Sequence, residues 1–239
     1  MYRNYIFDLY GTLTDIRTDE NKQYLWDKMA ELFGFYGAAY NSGELKKSYW
    51  DCLHEAEDKA RKTDEFAEIE PDCIFRKLLS NKGIENADQF VVDSLEMFMR
   101  VLSTEFIHLY DGVIELLEAL KENGKKIYLL SNALSGFTRP EIRYLGIEKY
   151  FDGILISSEE GFKKPGEKFF RRLTEKYGVD FKESIMIGND PDSDIAGANN
   201  VGMDSLFIHT AISPEYTGKV KSTYTVSDGD FRKIKALIL

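Results

Sequence analysis

The sequence predicts an α/β fold, in which a parallel sheet is covered by helices on both faces and carries an inserted all-helical segment. Three observations support this prediction. Residues 5–7 form a short apolar run that is typical of a buried strand, and the run stops at a carboxylate, Asp8. The spacing of apolar residues is then helical to about residue 103. From residue 110 onward, short apolar strands alternate with amphipathic helices, as in a parallel sheet.

Length and composition indicate a folded, soluble protein. A chain of 239 residues is long enough for one large domain, or for a core with a smaller insert. The net charge is −10 and no block of Lys or Arg occurs, which argues against nucleic acid or an anionic membrane as the main partner. A small anionic substrate remains compatible with this charge, because a metal ion, one lysine and helix N-termini can make a single site positive.

The cysteines and the start of the chain predict a cytoplasmic location. Cys52 and Cys73 lie apart, without the spacing of a metal site or a disulfide framework, so we expect reduced thiols. No signal peptide precedes the first strand, and no apolar run approaches the length of a transmembrane helix. The histidines are scattered and are expected to be structural or exposed: His54, His108 and His209.

The inserted segment, residues 15–104, is predicted to contain four helices and no strand. The first helix places four apolar residues on one face, namely Leu25, Met29, Leu32 and Tyr36. Thr18, followed by two acidic residues, predicts the N-cap of this helix. Further helices are predicted over residues 43–60, from Pro71 to about residue 82, and over residues 87–102.

The rest of the chain predicts alternating helices and strands. A helix is expected to open at Asp111-Gly112 and to end at Asn123-Gly124. The predicted strands cover residues 126–130, 151–156, 184–187 and 205–208, with an edge strand at 224–226. The predicted later helices cover residues 138–144, 167–177 and 195–200, and a short helix ends the chain.

Polar side chains follow four of the predicted strands. They are Asp8, then Ser131 and Asn132, then Lys164, and finally Asn189, Asp190 and Asp194. Because the carboxyl ends of parallel strands share one edge of a sheet, these residues are expected to converge. A carboxylate there can attack a phosphoryl or alkyl centre and form a covalent intermediate. Its charge would repel a phosphate, so a lysine and a divalent cation are expected beside it, and the hard oxygen ligands favour Mg²⁺.

Four ordered stretches of the sequence resemble the motifs of the haloacid dehalogenase-like (HAD) hydrolase superfamily: residues 5–13, 129–132, 164–165 and 188–198. The position of the helical segment, between the first and second motifs, resembles subfamily I with its helical C1-type cap. The resemblance implies a Rossmann-like core made of residues 1–14 and 105–239, and a cap domain at residues 15–104. It also implies an Mg²⁺-dependent phosphatase that acts on a small phosphorylated metabolite.

The resemblance implies roles for the convergent residues. Asp8 would be the nucleophile and Lys164 would orient Asp8 and the phosphate, with Tyr10 as the third candidate catalytic residue. The phosphate-binding residues would be Ser131, Asn132, Lys164, Gly11 and Thr12. The Mg²⁺ ligands would be Asp8, the backbone carbonyl of Tyr10, Asp190 and Asn189. Asp194 would hold Lys164 or a metal-bound water.

Tyr10 departs from the pattern of the phosphatases, which usually carry a second aspartate there as general acid–base. A phenol with an ordinary pKa near 10 is a poor replacement for a carboxylic acid at neutral pH. Tyrosine at this position resembles the haloacid dehalogenases of the superfamily, which need no proton for a halide leaving group. Three features oppose that alternative: the acidic residue Asp190, the lack of any Arg between Thr18 and Ala60 to receive halide, and a fourth motif that is mainly acidic. The dehalogenases resemble one another in having a fourth motif rich in Ser and Asn.

Three functions are therefore compatible with the sequence. The favoured one is the Mg²⁺-dependent phosphatase, because an acidic cluster beside Asp8 calls for a cation. The second is a metal-independent 2-haloacid dehalogenase that uses Asp8 as nucleophile. The third is a phosphoryl-ligand binding protein with weak or no catalysis. The sequence indicates neither the substrate nor the oligomeric state.

Overall fold

The computed structural model describes residues 2–70 and 72–239. The strands in this part are β1 (Asn4–Phe7), β2 (Thr14–Thr18), β3 (Thr104–Leu109), β4 (Lys126–Ser131), β5 (Gly153–Ile156), β6 (Ser184–Gly188), β7 (Asp204–Ile208) and β8 (Tyr224–Val226). Six of them form one parallel sheet in the order β5–β4–β1–β6–β7–β8. The predicted parallel sheet is confirmed, and β1 lies inside it between β4 and β6.

Helices cover both faces of the sheet and fill the insert. They are α1 (Gln23–Phe35), α2 (Ser42–Arg61), α3 (Asp72–Ser80), α4 (Gln89–Ser103), α5 (Val113–Glu122), α6 (Ser135–Tyr144), α7 (Ser157–Glu160), α8 (Glu167–Tyr177), α9 (Ala196–Asn200) and α10 (Phe231–Ile238). A π-type turn, Pro191–Ile195, precedes α9. Over residues 2–70 and 72–239, no helix has both the length and the apolar character needed to cross a bilayer.

Alternation along β1 explains how both faces of the sheet are buried. Tyr5 and Phe7 pack on one face with α5 and α10, whereas Ile6 packs on the other face with α8 and α9. Full burial of one large apolar side chain stabilises a fold by about 1.5–3 kcal/mol, and all four residues of β1 are buried. The strand is thus held firmly, and it fixes the position of Asp8, the next residue.

The helices α1 to α4 pack around a hydrophobic cluster of their own, separate from the two clusters on the sheet. This cluster includes Trp26, Phe33, Leu78, Val92 and Leu95, which are almost fully buried. A separate apolar core is what an inserted folding unit needs. We propose that residues 15–104 act as a cap domain on a core formed by residues 1–14 and 105–239.

The chain does not turn helical directly after Leu13, so that expectation was wrong. Residues 14–18 form β2, which pairs antiparallel with β3, and this two-stranded ribbon joins the insert to the core. The two strands are about ninety positions apart, and neither is fully buried on one face. Their pairing is therefore stabilised by tertiary contact, which a local apolar pattern does not reveal.

The predicted N-cap at Thr18 was also wrong. Thr18 ends β2, and α1 starts at Gln23 after Lys22, which makes no side-chain capping bond. Other boundaries moved by a few residues: the helix predicted from residue 138 starts at Ser135, and the strand predicted from residue 151 starts at Gly153. The predicted helix start at Pro71 lies outside the described residues, as does Met1, while α3 is present from Asp72.

Candidate active site

Three charged side chains meet at the carboxyl edge of the sheet. The Nζ atom of Lys164 lies 2.6 Å from Oδ1 of Asp8 and 2.6 Å from Oδ1 of Asp194. All three residues are buried, with 7% of Asp8 and 3% of Lys164 exposed. The backbone N–H of Asp8 donates to the carbonyl of Ile187 in β6 at 3.0 Å, which continues the sheet pairing to the nucleophile candidate. The sheet topology thus brings together residues that are far apart in sequence.

Burial and charge act in opposite directions on this cluster. Burial lowers the pKa of Lys164, but the carboxylates of Asp194 and Asp8 outweigh that effect, so the net pKa is raised and the ammonium stays charged. Burial raises the pKa of Asp194; Lys164 lowers it only in part, and the charge of Asp8 raises it further. One ammonium between two carboxylates leaves an excess of negative charge, so the cluster favours a second cation.

The turn after Asp8 packs against the loop after β6. Gly11 has φ of +80°, and a Cβ at this position would overlap the side-chain amide of Asn189, so glycine is required. Thr12 Oγ1 lies 3.1 Å from Oδ1 of Asn189 and 3.3 Å from Oδ2 of Asp8. The structure therefore brings the predicted phosphate-binding turn and the predicted ligand Asn189 next to Asp8. The amide oxygen of Asn189 already accepts from Thr12.

The end of β4 contributes two residues with different surroundings. Ser131 is fully buried, and its Oγ has no hydrogen-bond partner in the part of the chain that the structure describes. Asn132 is engaged: its amide nitrogen donates to the carbonyl of Lys164 at 3.0 Å, and its oxygen accepts from the Lys164 N–H at 2.8 Å. The side chain of Asn132 thus fixes the backbone of Lys164. The phosphate-binding role of both residues stays a prediction.

Asp190 lies at the start of the π-type turn. One of its carboxylate oxygens accepts from the N–H groups of Asp192 (2.9 Å) and Ser193 (3.3 Å), which orients the side chain. Among residues 2–70 and 72–239, no three side chains of the His, Cys, Asp and Glu types group as a metal cage. The predicted ligands, namely the carboxylates of Asp8 and Asp190 and the backbone carbonyl of Tyr10, are oxygens of the type that Mg²⁺ takes. This ion keeps several waters and is commonly held by one or two carboxylates plus substrate phosphate.

The phenol of Tyr10 points to the insert and to α6. It donates to Oε2 of Glu141 at 2.5 Å and lies 3.0 Å from Oγ1 of Thr138. Burial raises the pKa of Tyr10, and the charge of Glu141 adds to this, so the phenol is neutral near pH 7. Its side-chain hydrogen bonds therefore go to α6, and none of them reaches Asp8.

Arg100 of α4 completes this contact between insert and core. Its guanidinium binds Glu141 through two bonds, Nε to Oε1 at 2.6 Å and Nη2 to Oε2 at 3.1 Å. It also lies over the Tyr10 ring, 5.3 Å from the centroid, and over the Phe137 ring at 4.2 Å. Arg100 lies in the insert but outside residues 18–60, the stretch that contains no arginine. The bonds to Glu141 use two of the five N–H donors of the guanidinium.

A second contact joins the insert to the loop that carries Lys164. The N–H of Lys163 donates to the carbonyl of Phe66 at 2.9 Å, and the N–H of Glu68 donates to the carbonyl of Gly161 at 3.0 Å. The carboxylate of Glu68 also accepts from Ser157 Oγ at 2.8 Å. The insert is therefore bound to the core on two sides of Asp8, at Tyr10 and beside Lys164.

Comparison with known proteins identifies the family. The family profile described as haloacid dehalogenase-like hydrolase matches residues 2–202, which is most of the chain. The chain belongs to this family. It is thus a member of a hydrolase family, and the resemblance predicted from the four motifs is confirmed.

Relatives within the haloacid dehalogenase-like hydrolases include several phosphatases. The chain is 23% identical over 224 residues to pyrimidine 5'-nucleotidase PynA of Streptococcus pneumoniae, with 90% of each chain covered. It is 31% identical over 94 residues to glyceraldehyde 3-phosphate phosphatase of Methanothermobacter thermautotrophicus, covering 39% of this chain and 42% of that protein. The chain spans only about half the length of several relatives that it matches.

Solved structures show the same fold. A HAD phosphatase from Thermococcus onnurineus superposes with a TM-score of 0.63 at 18% identity, covering 99% of this chain and 97% of that one. An L-2-haloacid dehalogenase gives a TM-score of 0.60 at 16% identity, covering 99% and 98%. Phosphatases and dehalogenases of the family thus share this fold, and the fold does not distinguish them.

The sequence alone does not reveal the side chains that join the insert to the core in this hydrolase, such as Arg100 and Glu141. Glu141 and Arg100 carry no local motif, because each is an ordinary charged residue of an amphipathic helix until the tertiary fold pairs them. Glu96 does carry a sequence signal, because it lies on the buried face of α4 together with Val92, Leu95 and Met99. A charged residue within an apolar helical stripe is unusual and predicts a specific partner.

Proposed function

We propose that the protein is an Mg²⁺-dependent phosphatase of a small phosphorylated metabolite, with Asp8 as nucleophile. The observation that carries this proposal is the buried Lys164 ammonium, 2.6 Å from Asp8 and from Asp194, at the edge of the sheet that Asp190 also borders. This arrangement holds the carboxylate of Asp8 in a fixed direction. The relatives named as phosphatases support the same reaction class.

The proposed reaction has two steps. In the first, an oxygen of Asp8 forms a bond to phosphorus, the bond from phosphorus to the substrate's alkyl oxygen breaks, and the alcohol leaves with a proton. In the second, water attacks the phosphorus of the aspartyl phosphate, which releases inorganic phosphate and restores Asp8. Lys164 orients Asp8 and neutralises charge on the transferred group, and the Ser131 hydroxyl donates to a phosphate oxygen.

The metal site of the proposal consists of oxygen ligands only. Asp8, Asp190 and the backbone carbonyl of Tyr10 would hold Mg²⁺, and Asn189 would add a ligand or a contact to a bound water. The ion would offset the repulsion between the Asp8 carboxylate and the phosphate. Asp194 holds Lys164 and accepts from the N–H of Asp190 at 3.1 Å, so it links the lysine to the metal-binding loop.

The proton for the leaving alcohol is the step where this chain differs from a typical phosphatase of the family. Tyr10 is neutral and donates to Glu141. In the proposal the leaving oxygen takes its proton from water or from an acidic group of the substrate. Substrates with a good leaving group, such as aryl phosphates, are therefore expected to react faster than alkyl phosphates.

The insert would act as a cap that covers the site and selects the substrate. Its two contacts with the core, at Arg100–Glu141 and at Phe66–Lys163, would break when the cap opens. The free cysteines Cys52 and Cys73 support a cytoplasmic location for this reaction.

A second candidate function is the 2-haloacid dehalogenase, which Tyr10 favours. Asp190 opposes it, because a carboxylate beside Asp8 raises the repulsion unless a cation is bound. Loss of turnover with retained ligand binding is the third candidate, and it also rests on Tyr10.

The experiment that tests the proposal measures phosphate release from a panel of phosphorylated metabolites and one aryl phosphate. Each substrate is assayed with Mg²⁺ and with EDTA, using Asp8→Asn as the blank. We expect Mg²⁺-dependent release that the variant lacks. Release that EDTA leaves unchanged, or activity retained in Asp8→Asn, would contradict the proposal. Halide release from 2-haloacids in EDTA would favour the dehalogenase instead.

A further inference from the structure

One oxygen of a buried carboxylate in the insert has no hydrogen-bond partner in the described part of the chain. Glu96 of α4 is 4% exposed, and its Oε1 atom makes no hydrogen bond within residues 2–70 and 72–239. Arg100, one turn further along the same helix, forms its ion pair with Glu141. Burying a charged group without a donor costs free energy, so such a group indicates a ligand or a functional constraint.

Glu96 lies against the first turn of α6. A Cβ at Gly136 would overlap its carboxylate, so the helix accepts this close approach only because residue 136 is glycine. Gly136 follows Ser131 and Asn132 after three residues, 133–135. The carboxylate of the insert is thus placed over the segment that leads from the proposed phosphate site into α6.

Ser131 begins this segment and Glu96 lies against its other end, and the two side chains have complementary hydrogen-bonding capacity. Ser131 is fully buried and its hydroxyl can donate a hydrogen bond, whereas an ionised Glu96 can only accept. Both Ser131 Oγ and Glu96 Oε1 are without partners in the described chain. A molecule with an acceptor group at Ser131 and a donor group at Glu96 would satisfy both. A phosphomonoester supplies the acceptor, and the donor must belong to its alcohol part.

The charges around Glu96 favour a cationic donor. Burial raises the pKa of Glu96 to about 7, and the negative charges of Asp72 on α3 and Asp93 on α4 add to this. Tyr49 of α2 also faces this region, and its own pKa is raised by burial and by nearby glutamates, so it is neutral. An ammonium group would stabilise the ionised carboxylate in this negative surrounding, whereas a carboxylate on the ligand would be repelled.

We propose that Glu96 determines substrate specificity by accepting a hydrogen bond from an ammonium group on the alcohol part of the phosphomonoester. This inference rests on the proposed phosphatase function and names its substrate class, the phosphate esters of amino alcohols. The competing explanation is structural: Glu96 would only offset the positive end of the α6 dipole, near Gly136.

The test uses matched pairs of ω-amino and ω-hydroxy alkyl phosphates with two to five carbons, assayed with Mg²⁺. We expect the wild-type protein to prefer the amino member by about 10- to 100-fold in kcat/KM at the chain length that reaches Glu96, as for a charge-assisted hydrogen bond. Glu96→Gln should remove this preference. Glu55→Gln, which removes an exposed carboxylate from α2 of the same insert, is the matched control and should keep it.

Two results would overturn the inference: no preference for the amino member at any length, or an equal loss for both members in Glu96→Gln. The second result would establish the structural role. If no substrate releases phosphate, the proposed function fails separately, and calorimetric binding of the same pairs decides the role of Glu96. Tighter binding of the amino member that Glu96→Gln abolishes supports the inference, and equal binding of both members overturns it.

Discussion

Two cation-centred clusters flank the loop after β1, and they differ in what holds them together. Lys164 binds Asp8 and Asp194, and all three residues lie in the core, with 1% to 10% of their side chains exposed. Arg100 binds Glu141 beside the Tyr10 ring and connects the insert to the core. The side chains of Arg100 and Glu141 are each 13% exposed. The first cluster is built into one packed unit, whereas the second exists only while the insert rests on the core.

We propose that the Lys164 cluster serves the reaction, whereas the Arg100 cluster holds the insert closed over the core. The Lys164 cluster is anchored by β1, β6 and the Asn132 side chain, so it is preorganised before any substrate binds. The Arg100 cluster contacts the side chain of Tyr10, whose backbone carbonyl is a proposed Mg²⁺ ligand. In the proposed mechanism, closure of the proposed cap would thus be linked to the loop that follows Asp8. Breaking the first cluster should abolish turnover, and breaking the second should weaken it.

Lys164→Met is expected to have the largest effect. It leaves two buried carboxylates without their cation, which should cost about 3–5 kcal/mol of stability and lower kcat by at least ~10³-fold. Phosphate release and a denaturant titration measure the two losses. Lys163→Met, at the neighbouring position, is the control and should change either quantity little. Adding Asp194→Asn to Lys164→Met should recover part of the stability and none of the activity; recovered activity would show that Lys164 is only structural.

Arg100→Met tests the second cluster and should have an intermediate effect. The cap loses its bidentate contact with Glu141, so we expect kcat/KM to fall about 10-fold, mainly through KM, as the closed state becomes less populated. The control is Arg139→Met, which removes a bidentate ion pair with Glu159; both partners belong to residues 105–239 and neither belongs to the insert. Steady-state kinetics on the best substrate measure both variants. An equal loss in the two variants would contradict a special role of the cap contact.

Glu96→Gln should change stability by less than Lys164→Met does, and the change depends on pH. The folded protein raises the pKa of Glu96 from 4.5 to about 7, so it binds this proton more tightly than the unfolded chain. The wild-type protein is therefore most stable below pH 4.5 with respect to this group, and it loses up to about 3 kcal/mol as pH rises to 7. Thermal melts should show Glu96→Gln more stable than wild type at pH 8 and equal to it at pH 4. Equal stabilities at both values would show that the carboxylate is not desolvated.

Much of the fold could be predicted because local patterns determine it. β1, β6 and α8 follow directly from apolar runs and amphipathic spacing, and α8 was predicted at the residues where it lies. The ribbon of β2 and β3 escaped prediction because its strands pair across the whole insert. Thr14, Ile16 and Thr18 did carry a weak signal, since β-branched residues at every second position favour a strand.

The residues of the candidate site likewise fall into those that the sequence predicts and those that it does not. Asp8, Lys164 and Asp194 could be brought together from sequence, because strand order in a parallel sheet places polar strand ends on one edge. Arg100, Glu141 and Glu96 could not, because their positions depend on how the insert rests on α6. Contacts between two separately folded units leave no periodic pattern in either one.

We propose that Asp8 becomes covalently phosphorylated during turnover. It is tested most directly by acid-quenching the enzyme within a single turnover of its best substrate with Mg²⁺, and by locating phosphoryl adducts with peptide mass spectrometry. We expect an adduct on the peptide that contains Asp8, and we expect it to be absent in Asp8→Asn and when EDTA replaces Mg²⁺. Phosphate release without any adduct on Asp8, or release that persists in Asp8→Asn, would contradict it.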